Sequence, residues 1–349
     1  MNYLRNCWYV AGHGEEASPK PFARTYLGEP VVIYRTDAGR IVAMDNRCPH
    51  RFAPLDKGTV VGELIQCPYH GLRFDPSGKC VGLPAGGVAP SSTQRRTYPI
   101  VERHSLLWIW MGDGAAADPA TIPDFSYLES PDYGWFSGYL YAKANYQLLV
   151  DNLLDLTHAE FLHPLLKSDG WAGRNEQTVT REGDTISIYN RADDDHILPI
   201  MQRMDASLPP IGTTIQHERW NVPGVIRLSV EFYSGDQQII IPSGHFLTPE
   251  SPTSTHYLVR GGQGVHPDNA EFTAGMREGV LNVFRTEDIP IVEAQQQFIG
   301  DDRDLMDLRP AMFKSDSGAV QARRLLAKRI QQEQESMGVP SGTLASAVG

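Results

Sequence analysis

Two short loops, each with one cysteine and one histidine, constrain this chain more than any other feature of its sequence. The first loop reads Cys48-Pro49-His50, and the second, after sixteen intervening residues, reads Cys67-Pro68-Tyr69-His70. Two cysteines can bind one iron of a [2Fe–2S] cluster while two histidines bind the other iron. A structural zinc site is the alternative, although zinc sites usually pair cysteine with cysteine in one loop. Unrelated cysteines and histidines in a protein core are the third interpretation.

The charge and the apolar pattern of the chain exclude several classes of protein. Over 349 residues the formal net charge is -11, from 31 basic and 42 acidic side chains, which argues against a nucleic-acid-binding protein. No apolar run approaches the ~20 residues that a membrane-spanning helix needs. The first residues lack a signal-peptide pattern and four cysteines do not suggest a disulfide framework, so we expect a cytoplasmic protein. Cys7 and Cys80 lie outside the two loops and are interpreted as ordinary thiols.

The spacing of apolar and turn-forming residues predicts an α+β protein with two domains. Short strands separated by Gly, Pro and Asp indicate a small all-β domain over residues 1–120. Its clearest strands are predicted at residues 30–34, 41–44, 71–74 and 106–110. We place the boundary in the segment 113–123, which is rich in Ala, Gly, Pro and Asp, so that residues 121–349 form the second domain.

The second domain is predicted to combine an antiparallel sheet with helices. Helices are predicted over residues 145–162, from 268 or 269 to 297, and over 319–335. Pro290 is expected to interrupt the second of these helices, and Ser317 to cap the third. Strands are predicted at residues 176–190, 214–234 and 238–260.

The two cysteine–histidine loops resemble the Rieske iron–sulfur family, whose pattern is C-x-H followed by C-x-x-H. The resemblance implies that Cys48 and Cys67 bind one iron and that His50 and His70 bind the outer iron. Respiratory-type Rieske proteins have a further cysteine in each loop and form a disulfide there, and this chain has no such cysteines. That departure favours the lower-potential oxygenase branch of the family.

A second group of possible metal ligands lies in the segment D-N-L-L-D-L-T-H-A-E-F-L-H, residues 151–163. Two histidines and a later carboxylate are the ligand set of a mononuclear non-haem Fe(II) site with open positions for dioxygen and substrate. His158 and His163 are five residues apart, which on a regular helix separates them by about 140°. Both can reach one metal only if the segment is distorted, for example by a π-bulge, or if the helix ends near His163, which Pro164 favours. Taken alone, two unrelated helix histidines are the simpler interpretation.

The same segment resembles the signature D-N-x-x-D-x-x-H-x-x-x-x-H of the Rieske non-haem iron oxygenases, and every defining position is present. In that family the third ligand is an aspartate on a later helix, in a segment resembling E-D-x-x-x-x-E. Residues 287–293 match this pattern, which makes Asp288 the candidate, and Pro290 could aim its carboxylate. Acidic competitors follow at Asp301, Asp302 and Asp304.

By the same resemblance Asp155 is a bridging residue and not an iron ligand. Its carboxylate is expected to accept one hydrogen bond from His158 and another from a cluster histidine, assigned as His70, of a neighbouring subunit in a homotrimer. Asn152 is expected close to the iron, and Asp151 is interpreted as a helix cap. A first-turn carboxylate stabilised by the helix dipole is the simpler interpretation of Asp155.

The resemblance covers almost the whole chain and is strongest for aromatic O-demethylases of the vanillate type. It implies that a ferredoxin-reductase-type partner passes electrons from NAD(P)H to the [2Fe–2S] cluster, which passes them to the mononuclear Fe(II). Dioxygen then hydroxylates the methyl group of a small methoxylated aromatic acid, with release of formaldehyde and a phenol. Ring or side-chain hydroxylation of a related acid is the first alternative. A Rieske electron carrier without oxygenase activity is the second.

For the substrate pocket the resemblance implies only a few residues. His245 is the candidate contact for an ether oxygen or a carboxylate, and a satisfied core histidine is the alternative. Gly279 stands where a related enzyme has a tryptophan, so we expect a different pocket shape. The apolar lining is expected to come from Phe161, Phe232, Leu281 and Phe284. A basic group that could face an acidic reductase consists of Arg47, Arg51, Lys57, Arg95 and Arg96.

Overall fold

Short antiparallel strands make up the first part of the chain. The computed structural model describes residues 3–84, 86–167, 170–301 and 303–338. The strands of the first part are β1 (Trp8–His13), β2 (Phe22–Tyr26), β3 (Glu29–Arg35), β4 (Ile41–Asp45), β5 (Thr59–Val61), β6 (Leu64–Gln66), β7 (Arg73–Phe74), β8 (Cys80–Gly82), β9 (Thr97–Tyr98), β10 (Ile100–Arg103) and β11 (Leu106–Trp110). They form sheets in the orders β1-β11-β10, β2-β3-β4-β9 and β5-β6-β7-β8. The all-β prediction is confirmed, and the four predicted strands overlap β3, β4, β7 and β11.

The second part is an antiparallel sheet covered by helices, as the α+β prediction required. Its strands are β12 (Gly134–Ala142), β13 (Glu176–Glu182), β14 (Thr185–His196), β15 (Ile211–Asn221), β16 (Val225–Ser234), β17 (Gln237–Ser251) and β18 (Ser254–Gln263). Its helices are α1 (Tyr146–Leu154), α2 (Ala159–Leu162), α3 (Trp171–Arg174), α4 (Pro199–Met204), α5 (Ala270–Val283), α6 (Ile289–Ile299) and α7 (Ser317–Ser336). A π-helical turn, Phe284–Asp288, joins α5 to α6. Short 3₁₀ turns lie at Gly14–Glu16, Leu55–Lys57, Ser91–Thr93, Gly114–Ala116, Pro119–Thr121, Ser126–Glu129, Leu156–His158, Leu305–Leu308 and Lys314–Asp316.

The large sheet is built mainly from consecutive hairpins, in the order β12-β18-β17-β16-β15-β14-β13. Each of the three segments predicted as strands is a hairpin and not one strand. Gly183, in the turn between β13 and β14, has a φ of 58°, which glycine adopts without steric cost. The alternation of apolar residues continues across such tight turns, and for that reason the pattern alone did not reveal them.

One face of this sheet carries the main hydrophobic core. Ile188 of β14 and Trp220 of β15 point to this face and are at most 1% exposed. They belong to one buried cluster with Leu149 of α1, Val292 of α6 and Leu325 of α7. Full burial of an apolar side chain of this size contributes about 1.5–3 kcal/mol. The core therefore holds three helices from separate parts of the chain over one sheet face.

The two parts of the chain are packed against each other. Trp108 of β11 and Phe246 of β17 belong to one buried cluster, and their rings meet edge to face with centroids 6.1 Å apart. The main-chain N–H of Leu27 donates to the carbonyl of Pro249 at 2.9 Å. The domain boundary at residue 120 stays a prediction.

Several helix ends follow capping signals in the sequence. Asn145 and Asn269 precede α1 and α5, and each side-chain oxygen accepts an N–H of the first turn. Ser317 was predicted to cap α7, but it is the first residue of the helix and Asp316 occupies the cap position. Residues 145–162 form two helices where one was predicted. Within the ranges given above, no helix is both long and apolar enough to span a membrane.

Gly78, in the turn between β7 and β8, provides a test of this architecture. Its φ is 80°, and an added Cβ would collide with the main-chain oxygen of Arg95. We expect Gly78→Ala to lower the free energy of unfolding by about 2–4 kcal/mol, because a clash with rigid backbone adds to the left-handed conformation. Gly39→Ala is the matched control, since its φ is 86° but no atom lies within 4 Å of the added Cβ. Urea unfolding followed by circular dichroism measures both, and equal losses would contradict the prediction.

Candidate metal centres

The two cysteine–histidine loops fold in the same way. The N–H of each cysteine, Cys48 and Cys67, donates to the carbonyl of the fifth residue after it, at 2.9 and 2.8 Å. In each loop the fourth residue after the cysteine has a positive φ, which is 54° at Phe52 and 69° at Gly71. Glycine adopts this conformation freely, whereas phenylalanine does so with strain. The matched backbones each present one cysteine and one histidine, with the histidine two residues after the cysteine in the first loop and three residues after it in the second.

Burial separates the cysteines of these loops from the histidines. Cys48 and Cys67 are 2% exposed, whereas His50 and His70 are exposed and their ring centroids lie 4.5 Å apart. Burial, together with the neighbouring Cys67 thiol, raises the pKa of Cys48 to about 11. A bound cation such as iron favours the thiolate form of such thiols. The residues present therefore fit a [2Fe–2S] cluster with a buried sulfur-bound iron and an outer histidine-bound iron.

The segment with the second pair of histidines is not one helix. After α1, Asp155 is extended, with φ -133° and ψ 91°, and the 3₁₀ turn Leu156–His158 leads into α2. The α2 helix ends at Leu162, and His163 is extended again. The helix end that was predicted near His163 is therefore present, whereas the break at Asp155 precedes both histidines. As a result the rings of His158 and His163 meet, with centroids 5.2 Å apart.

His158, His163 and Asp288 come together, with one potential ligand atom from each within 4.8 Å of the others. The Nε2 atoms of His158 and His163 lie 3.4 and 3.2 Å from Oδ1 of Asp288. Within the described ranges, Oδ2 of Asp288 is buried and has no hydrogen-bond partner. Two imidazoles and one carboxylate are the donor set of a non-haem Fe(II) site with open positions. The unpartnered buried oxygen fits a bound cation at this point.

The π-helical turn positions Asp288. The N–H of Ile289 donates to the carbonyl of Phe284, five residues earlier, and Pro290 follows at the start of α6. Proline has no N–H to donate, and the wider turn before it accommodates the missing bond. The predicted interruption at Pro290 is therefore a π turn within a helix that continues through the proline.

His158, His163 and Asp288 are called the ligand group. Glu287 is a neighbour of this group, and sequence reasoning did not single out Glu287. Its Oε2 lies 2.8 Å from Nδ1 of His163, while Asp288 faces Nε2 of the same ring. Two consecutive carboxylates thus contact both nitrogens of one imidazole and orient the ring. A proton on Nδ1, accepted by Glu287, would leave the lone pair of Nε2 free for a bound metal. The first glutamate of the E-D-x-x-x-x-E pattern was the available signal, because ligand histidines commonly pair with a nearby carboxylate.

The charge state of Asp288 suits a metal ligand. Burial acts to raise its pKa, but hydrogen bonds from His158 and His163 and their charges outweigh burial, and the pKa falls to about 2. The carboxylate therefore stays ionised at physiological pH, which is the form that binds a cation.

Asn152 and Asp155 lie beside the ligand group. The amide of Asn152 donates to Oδ1 of Asp288 at 3.2 Å and lies 3.5 Å from Nε2 of His158. The predicted bond between His158 and the Asp155 carboxylate is not formed, since Nδ1 of His158 lies 2.7 Å from the main-chain oxygen of Asp155. Oδ1 of Asp155 instead accepts the N–H and O–H of Thr157, because the 3₁₀ turn that follows the break needs a cap. In the described part of the chain, Oδ2 has no hydrogen-bond partner.

An apolar cavity of about 340 Å³ adjoins the ligand group, which forms part of its wall. The wall also contains Leu228, Val230, Ile241, Ser243, His245, Phe272, Met276, Gly279 and Val283. Gly279 leaves open space there, since no atom lies within 4 Å of an added Cβ. Of the four predicted lining residues only Phe284 lines the cavity, whereas Phe232 and Leu281 lie in the core and Phe161 is 82% exposed. The volume is at the lower end of the range of small-molecule sites, roughly 300–1,000 Å³.

Both ring nitrogens of His245 already have partners. Nε2 lies 2.8 Å from Oγ of Ser243, and Nδ1 lies 2.7 Å from the hydroxyl of Tyr257. The side chain is 2% exposed, and burial lowers its pKa to about 3. His245 is therefore a neutral, satisfied histidine, the alternative that the sequence had left open.

A second cavity, of about 350 Å³, shares Asn152 and His158 with the first as wall residues. Asp155 and Phe161 line only this second cavity. The segment 152–158 thus separates the two spaces.

The remaining acidic residues near the site have other roles. Asp304 pairs with Arg323 at 3.1 Å, and Asp301 is exposed. Asp302 lies outside the described residues. Arg323 also pairs with Asp151 at 2.6 Å, so Asp151 belongs to a buried ion pair and is not a simple helix cap.

The predicted basic group near the cluster loops is largely paired. Arg47 pairs with Asp45 at 2.9 Å, Lys57 with Asp56 at 2.7 Å and Arg96 with Glu29 at 2.7 Å, and Arg95 donates to the carbonyl of Arg47 at 3.2 Å. Arg51, next to His50, is exposed and has no ion-pair partner among the described residues. It is the member of the group with its charge available to a partner.

Both parts of the chain match known proteins. The Rieske [2Fe-2S] domain family matches residues 7–93, and the vanillate O-demethylase oxygenase C-terminal domain family matches residues 142–332. The chain is 35% identical to the oxygenase component of dicamba O-demethylase from Stenotrophomonas maltophilia, over 95% of this chain and 99% of that protein. It is 36% identical to the toluene-4-sulfonate monooxygenase system iron-sulfur subunit from Comamonas testosteroni, over 95% and 98%. A crystal structure of dicamba monooxygenase with non-haem iron and dicamba has a TM-score of 0.82 at 33% identity, covering 96% of this chain and 100% of that one.

The chain belongs to the Rieske non-haem iron oxygenases, as an oxygenase component of the aromatic O-demethylase and monooxygenase group. The family predicted from the sequence is confirmed. So are the enzyme class and the two cofactors, a Rieske [2Fe–2S] cluster and a mononuclear non-haem iron.

The contact of Glu287 with His163 predicts an effect on iron binding. We expect Glu287→Gln to weaken the affinity for mononuclear iron by about 10–100-fold, because the amide no longer holds the tautomer of His163. Glu278→Gln, at an exposed position of α5, is the control and should bind iron like the wild type. Iron titration of the chelator-treated protein, with cluster absorbance as internal reference, measures the affinity. Unchanged affinity in Glu287→Gln would show that this contact does not support the site.

The two loops predict which cysteines hold the cluster. We expect Cys67→Ser to lose the visible absorbance and the electron paramagnetic resonance signal of the cluster, because it removes one of two thiolate ligands. Cys80→Ser should keep both signals, since Cys80 is buried in the same hydrophobic cluster but lies outside the loops. Loss of the signals in both variants would contradict the assignment.

Proposed function

We propose that this chain is the terminal oxygenase of an aromatic O-demethylase, which converts a small methoxylated aromatic acid into a phenol and formaldehyde. The observation that carries the proposal is the position of His158, His163 and Asp288 in the wall of an apolar cavity. A cavity of this size and lining favours a small, largely apolar molecule. The names of the matching family and of the dicamba O-demethylase relative support demethylation as the reaction.

The proposal gives each side chain of the two sites a role. Cys48, His50, Cys67 and His70 hold the cluster, and His158, His163 and Asp288 hold the iron. Iron bound there supplies the activation of dioxygen, with electrons from the cluster. The surrounding residues orient and shield the site: Glu287 holds the ring of His163, Asn152 donates to Asp288, and the apolar walls exclude water.

The acid group of the substrate is assigned to Arg203. Among the described residues it is the guanidinium that lines the cavity, where it lies on α4 and is exposed. A guanidinium binds a carboxylate through two parallel hydrogen bonds. A carboxylate held at this exposed position leaves the methoxy end of the molecule to the apolar interior, where the iron ligands lie.

Electrons are proposed to enter the iron site at Asp155. Its carboxylate lines the second cavity, and its main-chain oxygen contacts His158. In the proposed homotrimer, His70 of a second copy of the chain donates to Oδ2 of Asp155 and so links the cluster of one subunit to the iron of the next. NAD(P)H is proposed to supply the electrons through a ferredoxin-reductase-type partner, for which the exposed guanidinium of Arg51 provides an attractive contact. An electron carrier without oxygenase activity would not require the three converging ligands.

A single-turnover experiment tests the demethylation. The holoenzyme is reduced without oxygen, mixed with methoxylated aromatic acids (vanillate first) and then exposed to oxygen. We expect formaldehyde and the matching phenol in equal amounts, together with re-oxidation of the cluster. Asp288→Ala should keep a reducible cluster and form neither product, because the iron lacks its carboxylate ligand. A hydroxylated acid without formaldehyde would contradict demethylation and leave an oxygenase.

A further inference from the structure

A chain of three hydrogen-bonded side chains ends in the floor of the cavity. Ser243 and His245 lie two residues apart on β17 and both line the cavity, and Tyr257 lies on the neighbouring strand β18. Nδ1 of His245 lies 2.7 Å from the hydroxyl of Tyr257, and Nε2 lies 2.8 Å from Oγ of Ser243. Tyr257 is 1% exposed and His245 is 2% exposed, whereas Ser243 is only half-buried. Ser243 is therefore the member of the chain whose polar group can meet a ligand.

Burial determines the direction of the hydrogen bonds. In the described part of the chain, the hydroxyl of Tyr257 has one acceptor, Nδ1 of His245. A buried O–H without an acceptor is costly, so Tyr257 donates to Nδ1. Burial keeps the ring of His245 neutral by lowering its pKa to about 3, and the single ring proton then lies on Nε2. His245 accordingly donates to Oγ of Ser243.

The hydroxyl proton of Ser243 is left with a weak protein acceptor. The carbonyl of Leu228 lies 3.3 Å from Oγ, which is long for an O–H···O hydrogen bond. A hydroxyl that already accepts a hydrogen bond is polarised and donates more strongly. The proton of Ser243 is thus available to a better acceptor in the cavity.

We propose that Ser243 donates a hydrogen bond to an oxygen acceptor of the bound substrate, an ether or a carboxylate oxygen, and that His245 and Tyr257 are positioning residues for this donor. The inference rests on the proposed function, because it takes a methoxylated aromatic acid as the ligand of this cavity. It also assigns the substrate contact to a residue other than His245, whose nitrogens are both engaged.

Equilibrium binding to the oxidised holoenzyme tests the donor without any turnover. The ligands are 4-methoxybenzoate, which has both oxygen groups, anisole with the ether alone, benzoate with the carboxylate alone, and toluene with neither. We expect Ser243→Ala to weaken binding about 3–10-fold for the ligands that carry the recognised oxygen, and to leave toluene unaffected. Loss with anisole identifies the ether, and loss with benzoate identifies the carboxylate and would contradict its assignment to Arg203 alone. Ser243→Thr keeps the hydroxyl and should restore the affinity.

Two tyrosine variants separate positioning from structural support. Tyr257→Phe leaves Nδ1 of His245 without its hydrogen-bond donor, so the ring proton can move from Nε2 to Nδ1. Nε2 then becomes an acceptor, and the hydroxyl of Ser243 donates to Nε2 and not to a ligand. We expect the same ligand-selective loss as in Ser243→Ala, although Ser243 is intact. Tyr127→Phe is the matched control, because the hydroxyl of Tyr127 donates to the main-chain oxygen of Ser243 at 2.8 Å. This hydroxyl does not belong to the three hydrogen-bonded side chains. It should leave the ligand selectivity unchanged.

Neutron diffraction from perdeuterated holoenzyme crystals tests the proton positions without any ligand. We expect deuterium on Nε2 of His245 and on the hydroxyl of Tyr257, directed at Nδ1. Deuterium on Nδ1 would overturn the proposal, and so would equal affinity changes for all four ligands in Ser243→Ala. Selective binding without formaldehyde would reject the proposed demethylation alone. Formaldehyde formation without the selective loss would reject the role of Ser243 alone.

Discussion

The imidazole of His163 is held on both sides by consecutive carboxylates, and the arrangement of the candidate iron site depends on this contact. It joins the end of α2 to the π turn, and the two partners His163 and Glu287 are 124 positions apart in sequence. The π turn and the start of α6 pack into the main core through Phe284 and Ile289, so the packing of that core helps to set the position of Asp288. The irregular segment that carries Asp288 is thus anchored by a packed core.

Local patterns account for what could be predicted from the sequence. Each cluster loop places its cysteine and histidine within four residues, so the chemistry of the first site is visible without knowledge of the fold. The caps at Asn145 and Asn269 are equally local. The five-residue spacing of His158 and His163 also predicted an irregular backbone, since two side chains five positions apart on a regular helix cannot both reach one metal. The end of α2 at Leu162, followed by the extended His163, meets that requirement.

Contacts that depend on strand register or on backbone direction could not be predicted. His158 contacts the main-chain oxygen of Asp155, and the carboxylate of Asp155 caps the next turn. The sequence shows that an aspartate is present but not whether its main-chain or its carboxylate oxygen faces the histidine. The partners of His245 are set by the pairing of β17 with β18, which no local pattern contains. The hairpins of the large sheet were merged into single strands for the same reason, because alternation reports which face a residue takes and not where the chain turns.

The segment 152–158 is a wall common to two cavities, and this has a thermodynamic consequence. Its residues Asn152 and His158 face the apolar cavity, and the same residues with Asp155 face the second one. A ligand that displaces the wall from one side changes the surface offered to a partner on the other side. Reciprocity then requires the partner to change the affinity for the ligand by the same factor. Under the proposed function, occupancy of the first cavity and docking at the Asp155 face would then be linked equilibria.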